Sequence, residues 1–379
     1  MTTGDKPIIW VLPATGTGDN RQLLCLAEAL GWPFEVKAGP DHAIRVIVER
    51  LVCRWRKGFS RDKRARYEQP WPDLLLFSGG RPVADAWRIR RASGGRTRLV
   101  CIGRPWAALA RFDLVVTTPQ YRLPQRPNVL ENLTPLNPIS KARREQEAAA
   151  WAPRLAHLPR PWLALLVGGD SGSYRFTPNA ARQLAVLARD HVRRSGGAVL
   201  VSTSARTPPM VTRALEADWL AQPQPVPHFC YGWRPGDPAN PLAALLGLAD
   251  RFLVTGDSAA MVADACATGR PVAIFEPPLR LRTRLATRRS SWADALCGFP
   301  AWRDRQVAKG LWFPARDLGR YHRRLEEAGL VVPVAQLAAN FEGRREAAAG
   351  SSALAATLER IRSWFPEADS VSPDEQATR

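Results

Sequence analysis

Three residues, Gly256, Asp257 and Ser258, stand where a predicted strand ends and a predicted helix begins, within the block Asn240–Phe275. Backbone N–H groups without helical partners and the positive end of the helix dipole collect at such a junction, so it favours a bound anion. Asp264 follows about two turns further along the helix, and both carboxylates can therefore face one cleft. A phosphate-accepting turn with a carboxylate for hydroxyl groups predicts a pocket for a nucleotide-activated sugar.

The same residues allow a structural interpretation. Asp257 and Ser258 can cap the following helix, because short polar side chains accept hydrogen bonds from its first N–H groups. Asp264 can be a solvated carboxylate on the helix surface. The stretch continues into Gly269-Arg-Pro-Val272, and this whole spacing favours a functional site over a simple capped helix.

Two earlier turns, rich in glycine and hydroxyl groups, also follow predicted strands. Gly168–Gly172 lets the backbone approach a diphosphate closely, and Ser171 can add a hydroxyl donor. Ser202–Thr207 includes Arg206, whose donor fork can bind phosphate oxygens in pairs. The structural alternatives are a plain connecting turn for the first and a helix cap by Thr207 for the second.

The first half of the chain offers a candidate general base. Asp19, in the turn Gly16–Asn20, can take a proton from an acceptor hydroxyl, although helix capping is its alternative role. This turn lacks the third glycine of GxGxxG, which disfavours a nicotinamide or flavin site. Arg81, in the turn Ser78–Pro82, lines the acceptor side if that turn is more than a connection. Gln22 is a polar residue of the surface or the cleft.

The elements that position these turns alternate between strand and helix. The block Asn240–Phe275 is predicted to form a helix, a strand, a tight turn, a helix and a strand. The other predicted strands are Ile8–Leu12, Phe34–Lys37, Asp73–Ser78, Leu99–Ile102, Leu114–Thr117, Trp162–Val167 and Ala198–Ser202. The predicted helices are Arg21–Leu30, His42–Arg56, Val83–Arg91, Lys141–Trp151, Pro178–Arg194, Pro209–Ala221, Arg316–Glu327 and Ser352–Trp364. Such alternation predicts parallel sheets covered by helices, with the Gly-rich turns gathered at the carboxyl edges of the strands. We therefore expect an α/β protein of two Rossmann-like lobes that face a central cleft.

The chain length, 379 residues, is too great for one ordinary core and predicts two domains. The alternation stops at residues 138–160 and restarts afterwards, which marks a hinge. We predict an N-terminal acceptor lobe over 1–150 and a nucleotide-sugar lobe over 158–330. Helices over 335–366 can cap the second lobe or cross back to the first, and the polar tail 367–379 is predicted to be disordered.

The formal net charge of +19 comes almost entirely from arginine. One run is dense in basic residues: Arg54, Arg56, Lys57, Arg61, Lys63, Arg64 and Arg66. A solvated loop or a surface for anionic lipid headgroups explains this run, since each nearby basic residue adds roughly 1 kcal/mol of lipid attraction. No zinc-finger or RNA-recognition motif points to nucleic acid, so nucleic acid is not an expected partner.

Cysteine, histidine and hydropathy patterns bound the location and the chemistry. Six dispersed cysteines without a CxxC pair indicate reduced thiols, and five dispersed histidines form no zinc pattern. The N-terminus lacks a signal pattern, and no apolar run reaches about 18 residues. We expect a cytoplasmic protein, with peripheral attachment to the inner face of the plasma membrane as an option, and neither a metal nor a cofactor.

With these motifs in view, the chain resembles the mitochondrial-fission-protein-like family of bacterial glycosyltransferase-like proteins, named for a plant protein that affects mitochondrial division. The similarity covers most of residues 8–280. The stretches that carry it are Gly18–Gln22, Leu26–Gly31, Pro72–Leu74, Ser78–Arg81, Phe112–Val116, Asn128–Leu130, Leu166–Gly169, Thr203–Thr207, Asn240-Pro241, Thr255–Ser258, Met261 and Thr268–Val272.

The resemblance implies a two-lobed fold of the GT-B type. In related two-lobed transferases a loop like Gly168–Gly172 holds the donor diphosphate, and an acidic residue at the place of Asp264 holds the ribose. Asp19 falls where those enzymes keep a residue near the acceptor. The chain departs from the family at three places: Asp264 replaces the usual glutamate, Ala205 a frequent basic residue, and Gln120-Tyr121 a frequent His-Asp pair.

These observations together predict a metal-independent glycosyltransferase that moves a sugar from a nucleotide diphosphate-sugar to a cell-envelope glycan or glycolipid. Asp19 is the predicted catalytic residue. The predicted substrate-binding residues are Gly16, Gly18, Asn20, Gln22, Arg81, Gly168, Gly169, Ser171, Gly172, Ser204, Arg206, Thr207, Gly256, Asp257, Ser258, Met261 and Asp264. The alternatives are a sugar-nucleotide 2-epimerase, disfavoured by the scarcity of histidine, and a non-catalytic interaction protein on the same fold.

Overall fold

The computed structural model describes residues 6–14, 17–37, 67–136, 139–221, 223–285, 298–338 and 348–366. The predicted helix His42–Arg56, the arginine-rich run, Gly16 and the predicted disordered tail lie outside these residues. The chain forms two compact units. The first comprises the described residues within Met1–Asn132, Ala293–Ala315 and Ser352–Arg379, and the second those within Leu133–Trp292 and Arg316–Ser351.

The first unit is built on a parallel sheet of short apolar strands. Its elements in chain order are β1 (Ile9–Leu12), α1 (Thr17–Leu30), β2 (Phe34–Val36), β3 (Leu74–Ser78), α2 (Val83–Ala92), β4 (Arg98–Ile102), β5 (Leu114–Thr117) and β6 (Val129–Glu131). The six strands lie in the order β2-β1-β3-β4-β5-β6, and every neighbouring pair is parallel. Strands β1, β3 and β5 are buried throughout, as expected for strands covered on both faces.

The second unit repeats this plan. Its elements are α3 (Lys141–Leu155), β7 (Trp162–Val167), α4 (Pro178–Ser195), β8 (Ala198–Thr203), α5 (Pro209–Leu220), β9 (His228–Tyr231), α6 (Leu242–Leu248), β10 (Arg251–Thr255), α7 (Ala259–Cys266) and β11 (Val272–Phe275). Two further elements of this unit are α9 (Leu318–Glu327) and β12 (Val332–Pro333). Helix α8 (Phe299–Ala308) belongs to the first unit, as does most of α10 (Ala348–Arg362). The strand order is β12-β11-β10-β7-β8-β9, again all parallel.

The strand order of the second sheet creates a switch point between β7 and β10. From β7 the chain runs outward through β8 and β9, then returns to the other side of β7 with β10 and continues through β11. The loops that leave β7 and β10 therefore depart in opposite directions and leave a crevice at the carboxyl ends of these strands. The turns that begin at Gly168 and Gly256 both emerge at this point.

The predicted α/β class with two Rossmann-like parallel sheets is confirmed, whereas several boundaries differ. Helix α1 begins at Thr17, four residues before the predicted start at Arg21. Strands β6, β9 and β12 and helix α8 were not predicted, because short edge strands and a helix with a weak apolar stripe carry little periodic signal. The first stretch of the first unit ends at Asn132, and helix α3 belongs to the second unit.

The C-terminal helix α10 packs on the first unit. The Asn132 side-chain amide donates to the Thr357 hydroxyl at 3.2 Å, and both residues are buried. The rings of Trp32 and Phe365 meet edge to face, with centroids 5.3 Å apart. These contacts attach the end of the chain to the sheet that its beginning forms. No helix within the described ranges is long and apolar enough to cross a membrane.

Candidate anion-binding site of the second unit

Asp257 is the central residue of the crevice at the end of β7 and β10. Its carboxylate accepts hydrogen bonds from the Gly169 backbone N–H at 2.9 Å and from the Thr255 hydroxyl at 2.7 Å. Arg206 approaches the same carboxylate, with Nη2 3.0 Å from Oδ2. The turns after β7, β8 and β10 thus meet at one buried carboxylate.

The electrostatics of Asp257 follow from its enclosure. Its side chain is fully buried, and burial raises the pKa of the carboxyl, because removal from water disfavours the charged form. The Arg206 charge and the hydrogen bonds from Gly169 and Thr255 oppose this rise. The carboxylate therefore depends on its three partners to remain ionised, and it is enclosed between them rather than open to a ligand.

Arg206 is held at the mouth of the crevice by two partners. Besides the Asp257 carboxylate, its Nη1 donates to the Asp170 carbonyl at 3.1 Å. The side chain remains 40% exposed, so further N–H donors of the guanidinium can reach an anion in solvent. A planar guanidinium fixed in this way is pre-organised for phosphate oxygens.

Glycine is required after β7 by close packing. A Cβ atom on Gly169 would lie 1.8 Å from the Arg206 carbonyl oxygen, and one on Gly168 would lie 2.2 Å from the Asp257 carboxylate. The Gly168 N–H donates to the Thr255 hydroxyl at 2.7 Å. Gly172, by contrast, has open space where a Cβ would stand. Two of the three glycines of this turn therefore let neighbouring turns approach each other.

Thr207 does not cap helix α5, so the structural alternative considered for it is wrong. Helix α5 is preceded by Pro208, which makes no side-chain capping hydrogen bond. The Thr207 hydroxyl instead accepts from the Ser204 N–H at 2.9 Å and lies 3.0 Å from the Val167 carbonyl. It also approaches the carbonyl of Gly168. Thr207 and Ser204 thus join the ends of β7 and β8 and set the position of Arg206.

The hydroxyl oxygen of Ser171 stabilises its own loop. It accepts from the backbone N–H groups of Ser173 at 3.3 Å and Tyr174 at 3.1 Å. The neighbouring Asp170 carboxylate accepts from the Phe176 N–H at 2.7 Å and pairs with Arg280 at 3.1 Å. The oxygen of Ser171 is therefore committed to the turn, and its predicted contact with a phosphate stays a prediction.

The predicted caps of α7 are also wrong. Ser258 occupies the position before the helix but makes no side-chain capping hydrogen bond, and the Asp257 carboxylate is bound elsewhere. Gly256 is tightly enclosed, because a Cβ there would lie 2.5 Å from the His322 ring. Met261 is half-buried and packs against the hydrophobic core. The turn is thus held by contacts from both of its sides and not by capping.

Asp264 is buried on α7, close to charged and polar groups of two other helices. It is only 2% exposed, so its interpretation as a solvated surface carboxylate is wrong. Burial lowers the pKa of Arg144, and the negative charge of Asp264 opposes this decrease. Burial raises the pKa of Tyr321, and the charge of Asp264 increases it further. Asp264 therefore interacts electrostatically with α3 and α9. Its predicted role at a ribose stays a prediction.

A histidine–carboxylate pair at the same sheet edge was not predicted. Glu276 follows β11, and its Oε1 lies 2.7 Å from Nδ1 of His322. His322 is 2% exposed, and its Nε2 has no hydrogen-bond partner within the described part of the chain. The ring lies against Gly256. The position of Glu276 after a strand was a usable signal, whereas His322 comes from α9, more than 40 residues later.

The pair predicts a specific pH dependence of stability. The hydrogen bond with His322 lowers the pKa of Glu276 from its ordinary value of 4.5, with burial opposing. A depressed native pKa contributes stability above the unfolded pKa, and this contribution is lost as the pH falls through the native pKa. We expect Glu276→Gln to destabilise the protein near neutral pH, with the difference from wild type shrinking as the pH falls below 4.5.

Urea unfolding followed by circular dichroism over this pH range measures the difference. Glu326→Gln, at an exposed position of α9, is the matched control. A Glu276→Gln difference that stays constant from neutral to acid pH contradicts the assigned pair.

The first unit holds the other predicted residues at its own sheet edge. Asp19 lies in the first turn of α1, at the helix start as predicted, and its role as general base stays a prediction. Burial raises the pKa of the Cys101 thiol, and the negative charge of Asp19 raises it further. The hydrogen bond to the Gly79 carbonyl lowers the same pKa. Asp19 is therefore electrostatically coupled to the end of β4.

The remaining first-unit residues have mainly local contacts. The Asn20 side chain donates to the Ala14 carbonyl at 2.9 Å and accepts from the Ala14 N–H at 2.6 Å, which fixes the loop after β1. Gln22 Nε2 lies 3.5 Å from the Gly18 carbonyl. Arg81 is half-buried beside the end of β3. Across the described ranges, no group of three or more His, Cys, Asp or Glu side chains could hold a metal ion.

Comparisons with known proteins place this geometry in context. The family model described as "Mitochondrial fission ELM1" matches residues 17–293. The mitochondrial fission protein ELM1 of Arabidopsis thaliana is 28% identical over 238 residues, which cover 57% of this chain. The chain spans about half the length of this curated relative, 54%.

Two solved structures have similar chain traces. MurG of Acinetobacter baumannii has a TM-score of 0.43 at 12% identity, covering 94% of this chain and 99% of that one. UDP-N-acetylglucosamine 2-epimerase of Rickettsia bellii has a TM-score of 0.44 at 11% identity, covering 95% and 97%.

Proposed function

The chain belongs to the mitochondrial fission ELM1 family, and from this premise we propose that it is a glycosyltransferase using a nucleotide diphosphate-sugar donor. The donor diphosphate binds at the carboxyl ends of β7 and β10 in the second unit. Parallel α/β sheets bind ligands at such a switch point. This proposal specifies a ligand class for the crevice, which the family description does not name.

The observation that carries the proposal is the arrangement of Arg206. Its guanidinium is anchored by the buried Asp257 and by the Asp170 carbonyl, yet 40% of the side chain is exposed. It stands beside Gly169, where the backbone of two turns is in close contact. A buried anchor with an exposed cationic end favours a bound anion over a purely structural ion pair, because the carboxylate holds the cation in one orientation.

Charge stabilisation at this site follows from the same geometry. In glycosyl transfer the bond between the anomeric carbon and the leaving phosphate oxygen breaks, and a bond to the acceptor oxygen forms. Negative charge grows on the departing diphosphate. Arg206 and the amino end of α7 supply positive potential where this charge develops, and the Asp257 carboxylate offsets part of it. In this proposal the charge of the leaving diphosphate is stabilised by Arg206 and the amino end of α7, without a metal ion.

The acceptor is assigned to the first unit. In the proposed reaction the acceptor hydroxyl gives its proton to the Asp19 carboxylate, which lies in the first turn of α1. A cell-envelope glycan or glycolipid is the acceptor class that we propose. The charge of +19 supports a site of action near anionic lipid.

A sugar-nucleotide 2-epimerase is the second candidate, favoured by the His322–Glu276 pair. The scarcity of histidine counted against this chemistry, but the buried His322 ring lies against Gly256, next to Asp257 in the turn after β10. Incubation of a nucleotide-sugar without acceptor separates the two reactions. Conversion of the sugar at C2 supports the epimerase, and transfer only when acceptor is added supports the transferase.

A thermal-shift screen with nucleoside diphosphates tests donor binding. A ligand at about 100 times its dissociation constant adds about 2.7 kcal/mol to the free energy of unfolding. We expect at least one nucleoside diphosphate to raise the Tm of the wild type, and Arg206→Ala and Asp264→Asn to lose this shift.

The matched control is Arg213→Ala, at an exposed position of α5, which is expected to keep the shift. The absence of a shift with every nucleotide contradicts the donor site and supports a non-catalytic interaction protein. Retention of the full shift in Arg206→Ala contradicts the assigned role of the guanidinium.

A further inference from the structure

An apolar patch is exposed on the first unit, in and after helix α8. Its members are Trp302, Leu311, Trp312 and Phe313, whose side chains are 40%, 53%, 41% and 43% exposed. We call these four residues the Trp302 patch. Three of them are consecutive, so the chain presents a contiguous apolar surface, and such surfaces mark interaction sites.

The Trp302 patch is held rigidly. The Trp302 and Trp312 rings meet edge to face with centroids 5.5 Å apart, and Phe299 packs on Trp302 at 5.6 Å. The backbone N–H groups of Leu311 and Trp312 both donate to the Gln306 carbonyl, at 2.9 and 3.3 Å. The exposed side chains are therefore presented by a fixed turn, which limits the ordering entropy that binding would cost.

The opposite side of the segment anchors it to the first unit. Val307 belongs to the hydrophobic core of that unit. Gly310 adopts a φ of +69°, and a Cβ there would lie 2.4 Å from the backbone of Ala107. This backbone contact lets α8 dock closely with Val307 facing inward. One face of α8 thus packs on the core through Val307, while the apolar side chains of the patch point away from that core.

Two exposed basic residues follow Trp302 at helical spacing. Arg305 and Lys309 follow Trp302 by three and seven positions, which places all three on one helix face, and all three are exposed. Asp304, the one acidic residue among positions 298–316, is paired with Arg303 at 3.0 Å. The surface around the indoles therefore carries positive charge that its own segment does not neutralise.

We propose that the Trp302 patch binds an anionic lipid surface. Tryptophan, phenylalanine and leucine beside Lys and Arg are typical of surfaces that insert shallowly at the membrane–water boundary. The positive rim complements anionic headgroups and disfavours a second copy of this chain, whose formal charge is +19. The patch shares no residue with the arginine-rich run of residues 54–66, and the inference goes beyond the proposed function because it does not depend on sugar transfer.

Co-sedimentation of the full chain with vesicles tests the proposal. The probes are vesicles of phosphatidylcholine alone and of phosphatidylcholine with phosphatidylglycerol. We expect binding to the anionic vesicles, with a reduction of about tenfold or more in the double variant Leu311→Ser with Phe313→Ser. This variant keeps both indoles, so their mutual packing is preserved. The matched control is Met210→Ser with Leu220→Ser, two residues of α5 that are 56% and 62% exposed.

A second variant removes charge without changing any buried residue, so it tests lipid binding without disturbing the fold. Arg305→Gln with Lys309→Gln changes only exposed helix positions, and each removed charge is expected to weaken binding to anionic vesicles about fivefold. The proposal is overturned if the wild type ignores both vesicles, or if the patch and charge variants bind as the wild type does. Sedimentation velocity supplies the remaining outcome: self-association that the Leu311 and Phe313 changes abolish, without vesicle binding, assigns the patch to a second copy.

Discussion

Gly169→Ala is expected to lower the free energy of unfolding by about 3 kcal/mol and to abolish nucleotide binding. A Cβ at this position would stand 1.8 Å from the Arg206 carbonyl oxygen and 2.7 Å from the Thr207 nitrogen. Both obstructing atoms belong to the backbone, so no side-chain rotation relieves the clash. The turns after β7 and β8 must separate, and this movement displaces Arg206 from Asp257.

Gly172→Ala is the matched control for this prediction. It lies in the same turn, three residues later, with open space around the position of a Cβ. We expect its stability to change by no more than about 0.5 kcal/mol. Urea unfolding and the nucleotide thermal shift measure both variants. If alanine is tolerated equally at the two positions, close packing is not the reason for glycine at Gly169.

Arg206→Ala is expected to lower the free energy of unfolding by about 1–3 kcal/mol at neutral pH, and to remove the nucleotide-dependent stabilisation. The variant leaves the enclosed Asp257 carboxylate without its cation, although the hydrogen bonds from Gly169 and Thr255 remain. The lower part of this range is the better guide, because Arg206 is 40% exposed and water already screens the pair.

The pH dependence of this loss has a definite sign. Burial already raises the native pKa of Asp257 above its ordinary value of 3.8, and removal of the Arg206 charge raises it further. A raised carboxyl pKa means that the native state binds the proton more tightly than the unfolded state, so ionisation reduces stability as the pH rises. We expect the loss in Arg206→Ala to be small near pH 3.8 and to grow toward neutral pH.

A second substitution separates the buried charge from the rest of the site. In the Asp257→Asn background the carboxylate is absent, so Arg206→Ala should cost less than it does in the wild type. Urea unfolding of the four proteins at acid and neutral pH completes this cycle, and Arg213→Ala serves as the surface control. A cost of Arg206→Ala that is independent of both pH and Asp257 excludes the assigned coupling.

Sequence reasoning predicted a site in the second unit at the turns Gly168–Gly172, Ser202–Thr207 and Gly256–Ser258, and the structure joins these turns through Arg206 and Asp257. Parallel strands carry their following turns to one edge, so position along the chain was enough to group them. The roles within the group were not predictable in the same way. Asp257 was expected to face a ligand or cap a helix, but it is enclosed by three partners.

The periodicity and turn chemistry of this sequence determined the α/β class, the two sheets and the positions of the turns at strand ends. These features depend on local preferences and on alternation of apolar residues, which the chain records within windows of a few residues. Only the tertiary structure decided that Gly169 serves a backbone contact, that His322 meets Glu276 across 46 positions, and that Trp302 faces outward. Each of these depends on which distant segments pack together, and local sequence carries no signal for that choice.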